Sequence, residues 1–148
     1  MGRVPRWPTS PAGPDATRPA TCPAGRRHAV NAGQRWEAHA LAHLQAAGLI
    51  LECRNHHCRL GEIDLVMRDG ATLVAVEVRY RRGTSHGGAA ASVTRTKQRR
   101  VALAMRHYLM GRGGPLPAVR FDVVALSGPA ERPRIEWLRA AFDAPSGH

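Results

Sequence analysis

No stretch of this chain stays apolar for the roughly 18 residues a membrane-crossing helix needs, so no membrane span is expected. Arg3 and Arg6 stand near the start, but no apolar segment follows them, and no secretory signal is expected either. Three cysteines are too few and too unevenly placed for a disulfide framework; they point to a reducing cytosol and a cytoplasmic protein. No internal repeat is visible. Lysine is almost missing: Lys97 is the single one, against 21 arginines. Acid is missing altogether from Arg79 to Arg100, a span that holds seven basic residues.

The chain is 148 residues long, one domain's worth and enough to bury a core. Its formal net charge is +11, from 22 basic and 11 acidic residues, which suits a polyanionic partner, nucleic acid first. The arginine excess, beside abundant Ala, Gly and Pro, is also what biased coding composition produces. Residues 1–30 hold most of the prolines and little apolar periodicity, so they read as a disordered, mildly basic tail. A folded domain is expected over 31–143, with 144–148 disordered.

Within the domain, Asn31 can cap a helix over about 32–47 that stops at Gly48, with Leu41, Leu44 and Glu37 on its inner stripe. Leu49 to Cys53 reads as a first strand. Cys53, His56, His57 and Cys58 then cluster in a strand end and turn, but a structural zinc site usually pairs two such clusters. Gly61 to Val66 and Val74 to Arg79 read as two strands of a hairpin around Asp69-Gly70. A basic, glycine-rich loop follows from Arg81 to Ser92, suited to a phosphate backbone. Ser92 or Thr94 can cap a second helix to about Met110, closed by Gly111, with Val101, Ala104, Met105, Tyr108 and Leu109 inward. Lys97 falls on the inner side of its first turn, while Arg95, Arg99 and Arg106 point away. Val119 to Leu126 and Ile135 to Leu138 read as the last strands, with Trp137 and Phe142 closing the core. Asp122 is expected to serve structure. The order of elements predicts an α/β domain with a mixed central sheet flanked by helices.

The hairpin carries the chemistry. Side chains alternate along a strand, so Glu62, Asp64 and Val66 share one face and Ile63 and Leu65 the other. On the next strand Val74, Val76 and Val78 oppose Ala75, Glu77 and Arg79. The hairpin can therefore bring Asp64 and Glu77 together. Two close carboxylates repel unless a positive charge joins them, and Mg²⁺ favours carboxylates plus water.

The segments Gly33–Ala38, Arg54-Asn55, Gly61–Val66, Glu77–Arg81, Lys97–Arg100, Arg120–Val124 and Trp137 occur in an order that resembles the YraN-type family of bacterial proteins. That family is similar to Holliday-junction resolvases in the PD-(D/E)-x-K superfamily, with its restriction-endonuclease-like fold. The resemblance implies a metal-dependent endonuclease acting on DNA. Asp64 and Glu77 would hold Mg²⁺ (or Mn²⁺), aided by the Val78 carbonyl and by Glu37 as a third acid. The usual motif lysine is replaced by Arg79, which can stabilise phosphate charge but not act as a base. Lys97 is left as the candidate for the lysine's role. Arg81, Arg82, Arg99 and Arg100 would contact nucleic acid. Two other classes fit the residues as well. One is a binding module that keeps the fold without the chemistry. The other is a structural or partner-binding protein whose acids are closed off by Arg79 and Arg81.

Overall fold

Chain connections decide the sheet. In the computed structural model, which describes residues 32–82 and 93–144, the elements run α1 (Ala32–Ala46), β1 (Ile50–Cys58), β2 (Gly61–Asp69), β3 (Thr72–Arg81), α2 (Arg95–Arg112), β4 (Ala118–Ser127) and β5 (Arg134–Phe142). The expected tail, the Asn31 and Ser92 caps, the glycine-rich stretch 83–92 and residues 145–148 lie outside the described residues. Short turns link β1 to β2 and β2 to β3, so both pairs are antiparallel. The β3 chain instead returns through α2, and β4 lies parallel to β3. A crossover of this length is what a parallel pair requires. With β5 antiparallel to β4, the five strands lie in chain order in one mixed sheet.

Strand β3 places the two helices. Val74 and Val76 pack in a core cluster with Ala40 and Leu44 of α1. Ala75, between them, packs with Val101, Ala104, Met105 and Tyr108 of α2. Alternate residues of a strand point to opposite faces, so α1 and α2 cover opposite sides of the sheet. Strand β3 is thus buried on both faces, which is why it reads as an apolar run. An acid inside that run, Glu77, is the anomaly.

Several boundaries differ from the sequence reading. Strand β1 does not end at Cys53; its ladder with β2 continues to Cys58↔Gly61. The polar run Arg54–His57 hid the strand, because only His56 within it is buried. The Cys/His stretch is therefore strand rather than turn, and His56 Nε2 lies 3.2 Å from His107 Nδ1 on α2. Strand β5 likewise extends to Phe142, whose ring stacks on Phe121 with centroids 5.1 Å apart. The hairpin turn is Gly70-Ala71 rather than Asp69-Gly70, since Asp69 pairs with Thr72 and Gly70 takes φ +60°. Gly111 does not stop α2; the helix runs on to Arg112 and is capped by Gly113 at φ +71°. A glycine ends a helix when it supplies the left-handed backbone, not merely by being present. Finally, Ile63 and Leu65 do not share a face: Ile63 joins Val66 under α2, and Leu65 joins the α1 side. Strict alternation breaks where Asn55, between the pairs Arg54↔Leu65 and His56↔Ile63, adopts φ +51°.

Gly61 explains how closely α2 approaches. A Cβ at Gly61 would lie 2.0 Å from the Arg100 carbonyl oxygen. Backbone cannot yield as a flexible side chain can. Gly61→Ala is therefore expected to push the first turns of α2 off β2, costing about 1–3 kcal/mol and displacing Lys97, three residues before Arg100. Urea unfolding measures the first effect, and a shift in the Lys97 side-chain NMR resonance reports the second. A variant as stable as the parent would show that the helix is not seated on this glycine.

Candidate functional site

The site forms where two strands part. The β2–β3 ladder runs from Asp69↔Thr72 to Leu65↔Val76. The next position in that register sets Asp64 opposite Glu77. There the Asp64 carboxylate takes over from the ladder: Val78 N–H donates to Asp64 Oδ2 at 2.8 Å. A side-chain oxygen thus satisfies a backbone donor that would otherwise be buried unpaired. The expectation that the hairpin unites Asp64 and Glu77 holds, at the point where the β2–β3 ladder ends.

Helix α2 brings the cation. Val93, buried ahead of the helix, packs with Val123 and Ala125 of β4. Thr94 Oγ1 accepts from Lys97 N at 3.2 Å, and Gln98 Nε2 donates to the Val93 carbonyl at 3.1 Å. These contacts fix the helix start, and Lys97 comes one turn in, facing the sheet. Its Nζ lies 3.1 Å from Glu62 Oε1 and 3.5 Å from Glu77 Oε1. Arg79, on the same strand face as Glu77, brings Nε to 3.9 Å from Glu77 Oε1, too far for a hydrogen bond.

The electrostatics of the group are strained. The Glu77 side chain is 4% exposed, and its Oε2 is buried with no hydrogen-bond partner among the described residues. Burial pushes the Glu77 carboxyl up to about 8; the Asp64 charge adds to the rise, while Lys97 and Arg79 oppose it. Asp64 is raised too, by burial, against the pull of the Val78 N–H and of Lys97. Glu62, less buried, is lowered by its hydrogen bond from Lys97. Burial alone would lower Lys97, but Glu77, Glu62 and Asp64 outweigh it, and its ammonium is held above the usual lysine range. Asp64 and Glu77 therefore share a proton near neutral pH unless a further positive charge arrives.

The remaining expected residues are spread around this centre. Among the described residues no three His, Cys, Asp or Glu side chains are gathered closely enough to hold a metal ion by themselves. The trio of Glu37, Asp64 and Glu77 is in fact a pair. Glu37, from α1, has its Oε2 occupied by Asn55 Nδ2 at 3.2 Å. Its pKa is raised by burial and by Asp64, so it still borders the pair electrostatically. Arg81 closes β3 half-buried, and Arg82 just beyond it is exposed. Arg99 and Arg100 are exposed on α2, and the Arg100 charge reaches Glu62. Asp122 lies away in β4, paired with Arg120. Three residues of the site escaped the sequence reading: Glu62, which tethers Lys97; His57, whose Nδ1 lies 3.3 Å from Glu62 Oε2; and Asn55. The signal for Glu62 was present, since it sits two residues before Asp64 and Lys97 is the lone lysine.

A mixed sheet with a buried carboxylate pair and a lysine lent by the crossover helix defines an α/β protein with an acid–lysine centre at a strand divergence. The chain belongs to the uncharacterised protein family UPF0102, the YraN-type family, whose profile matches residues 36–126. That span takes in Glu37, Glu62, Asp64, Glu77 and Lys97. The chain is 52% identical to a UPF0102 protein of Ralstonia nicotianae over 131 residues, 86% of this chain and 95% of the relative. It is 58% identical to one from Cupriavidus taiwanensis over 76% of this chain and 82% of the relative. It is 50% identical to one from Methylococcus capsulatus over 79% and 94%. Among the described residues no helix is long and apolar enough to cross a membrane.

Proposed function

We propose that this protein is a cytoplasmic DNA-binding protein that hydrolyses phosphodiester bonds with a divalent metal. In this reading its sheet is a restriction-endonuclease-like fold of the PD-(D/E)-x-K kind. The observation that carries the proposal is the meeting of Asp64, Glu77 and Lys97 around a buried carboxylate oxygen, Glu77 Oε2, that has no donor. A cation would satisfy that oxygen and relieve the repulsion that raises both carboxyls. The residues present fit Mg²⁺ or Mn²⁺. Glu77 would hold it through Oε2, Asp64 through the oxygen Val78 does not engage, and water would complete the shell. When bound, such an ion lowers the pKa of water and neutralises phosphate charge.

The other residues divide the work. Lys97 stays protonated because three carboxylates hold its pKa up, so its role is to donate: to orient a water or a phosphate oxygen, not to remove a proton. Arg79 is partly exposed beside Glu77 and can meet the phosphate as a fixed charge. Arg82, Arg99 and Arg100 are exposed to contact the backbone, with Arg81 beside them.

A DNA cleavage assay in Mg²⁺ or Mn²⁺ tests this. The wild type should cut, Asp64→Ala should not, and Lys97→Met should lose about 10²–10³-fold in rate, the scale of one lost transition-state donor. Cleavage that survives Asp64→Ala would refute the metal site. A second reading rests on the distances from Glu77 to Lys97 and Arg79: internal pairing can also serve a binding module without chemistry. Its signature is binding that weakens steeply with salt while no variant or metal alters the DNA.

A further inference from the structure

We propose that the Trp36–Tyr80 stack is a platform for an unpaired base, so that the protein's substrate class is DNA that carries single-stranded nucleotides. This deepens the DNA-binding reading above and rests on it. Trp36 comes from α1, and Tyr80 from β3, three residues beyond Glu77. Their ring centroids are 4.0 Å apart with planes at 11°. The Tyr80 hydroxyl donates to the Gly128 carbonyl at 3.2 Å, in the connection from β4 to β5. The ring is therefore fixed from two sides, yet Tyr80 keeps 39% of its surface exposed. A stacking surface held still in this way loses little freedom when a ligand settles on it.

The start of α1 and the surrounding charge relate the platform to the site. Three strand residues span about 10 Å, and the odd offset sets Tyr80 on the α1 face of β3 with Trp36, whereas Glu77 faces Lys97 of α2. Trp36 precedes Glu37, whose carboxylate is raised in part by Asp64, so the start of α1 borders the acids. Arg35, exposed before Trp36, and Arg81 and Arg82, after Tyr80, flank the rings with positive charge. Aromatic rings set among arginines match a single strand, whose bases can present their faces while the arginines track the phosphates. In a duplex the base faces are already covered by their neighbours, and the platform has nothing to grip.

The test measures binding of labelled oligodeoxythymidylate and of a duplex of the same length to the full chain, with chelator present to prevent cleavage. Tyr80→Leu should weaken the single strand roughly 5- to 100-fold, the scale of one lost base stack, and leave the duplex unchanged. Tyr80→Phe keeps the stacking ring but loses the Gly128 bond, and should weaken the single strand far less than Tyr80→Leu does. Equal weakening toward both probes means a general loss of fold or charge and overturns the proposal, as does no change toward either. A wild type that binds only duplex overturns the platform and leaves the DNA-binding reading standing. A wild type that binds neither overturns both.

Discussion

Glu77→Gln is expected to stabilise the metal-free protein at pH 8 and to abolish the cleavage proposed above. The folded carboxyl is raised to about 8 from an ordinary 4.5. Below 4.5 both folded and unfolded chains carry the proton, and the residue's contribution is fully present. Between these values the unfolded chain ionises while the folded one holds its proton, so stability falls as pH rises. Above about 8 the folded protein must keep a charged, buried carboxylate beside Asp64. Glutamine carries no charge to bury, and the gain should be on the order of 1–4 kcal/mol at the alkaline end. Urea unfolding in chelator at pH 5, 7 and 8.5 measures it. Asp64, also raised, leaves the variant some residual slope.

Metal should reverse the ranking. If a cation takes the place of the shared proton, as proposed, Mg²⁺ or Mn²⁺ should raise the wild-type melting temperature more at pH 8 than at pH 6, and raise that of Glu77→Gln little. A wild type whose stability ignores both pH in this window and divalent metal would mean that Glu77 is satisfied within the protein.

The second large effect concerns the opposite kind of acid. Asp122→Ala is expected to cost about 3–5 kcal/mol, the scale of breaking a buried charged network, because Trp137 Nε1 and the Ala140 N–H lose their acceptor. Asp122 is 0% exposed and fully engaged. Arg120 donates to both of its oxygens at 2.9 Å, Trp137 Nε1 donates at 3.0 Å and the Ala140 N–H at 3.0 Å. Through its other nitrogen Arg120 reaches Asp69 beside the β2–β3 turn at 2.9 Å. The β4–β5 ladder is irregular between Phe121 and Val123, and Ala140 has φ +49°. Asp122 therefore ties an edge strand to the sheet where the ladder fails to. Its loss should expose β5 to hydrogen exchange, whereas Asp64→Ala should cost less, because the lost acceptor for the Val78 N–H is offset by removing one member of a repelling pair. If the two alanine variants melt alike, the distinction between a building acid and a strained one is unfounded.

That distinction shows where reading the chain succeeds and where it stops. The apolar run of β3 and the stripe Val101, Ala104, Met105 and Tyr108 on α2 mark burial by themselves, and all five strands are detectable in outline. Polar strand segments are not. Arg54–His57 carry no apolar alternation, and only the ladder with β2 reveals them as strand. Gly111 looked like a stop because composition does not disclose which glycine adopts the left-handed backbone; Gly113 does. Glu62 was passed over because its partner, Lys97, lies 35 residues away in the chain.

Local patterning alone determined the mixed α/β architecture, the hairpin that unites Asp64 with Glu77, and the inward turn of Lys97. These depend on periods of two and of 3.6, which neighbouring residues express. Tertiary structure decided which acids repel and which are satisfied, that Glu37 stays with Asn55, and that Lys97 remains charged. Those outcomes depend on burial and on distances between segments remote in the chain, and both come into being only when the sheet and its two helices close on one another.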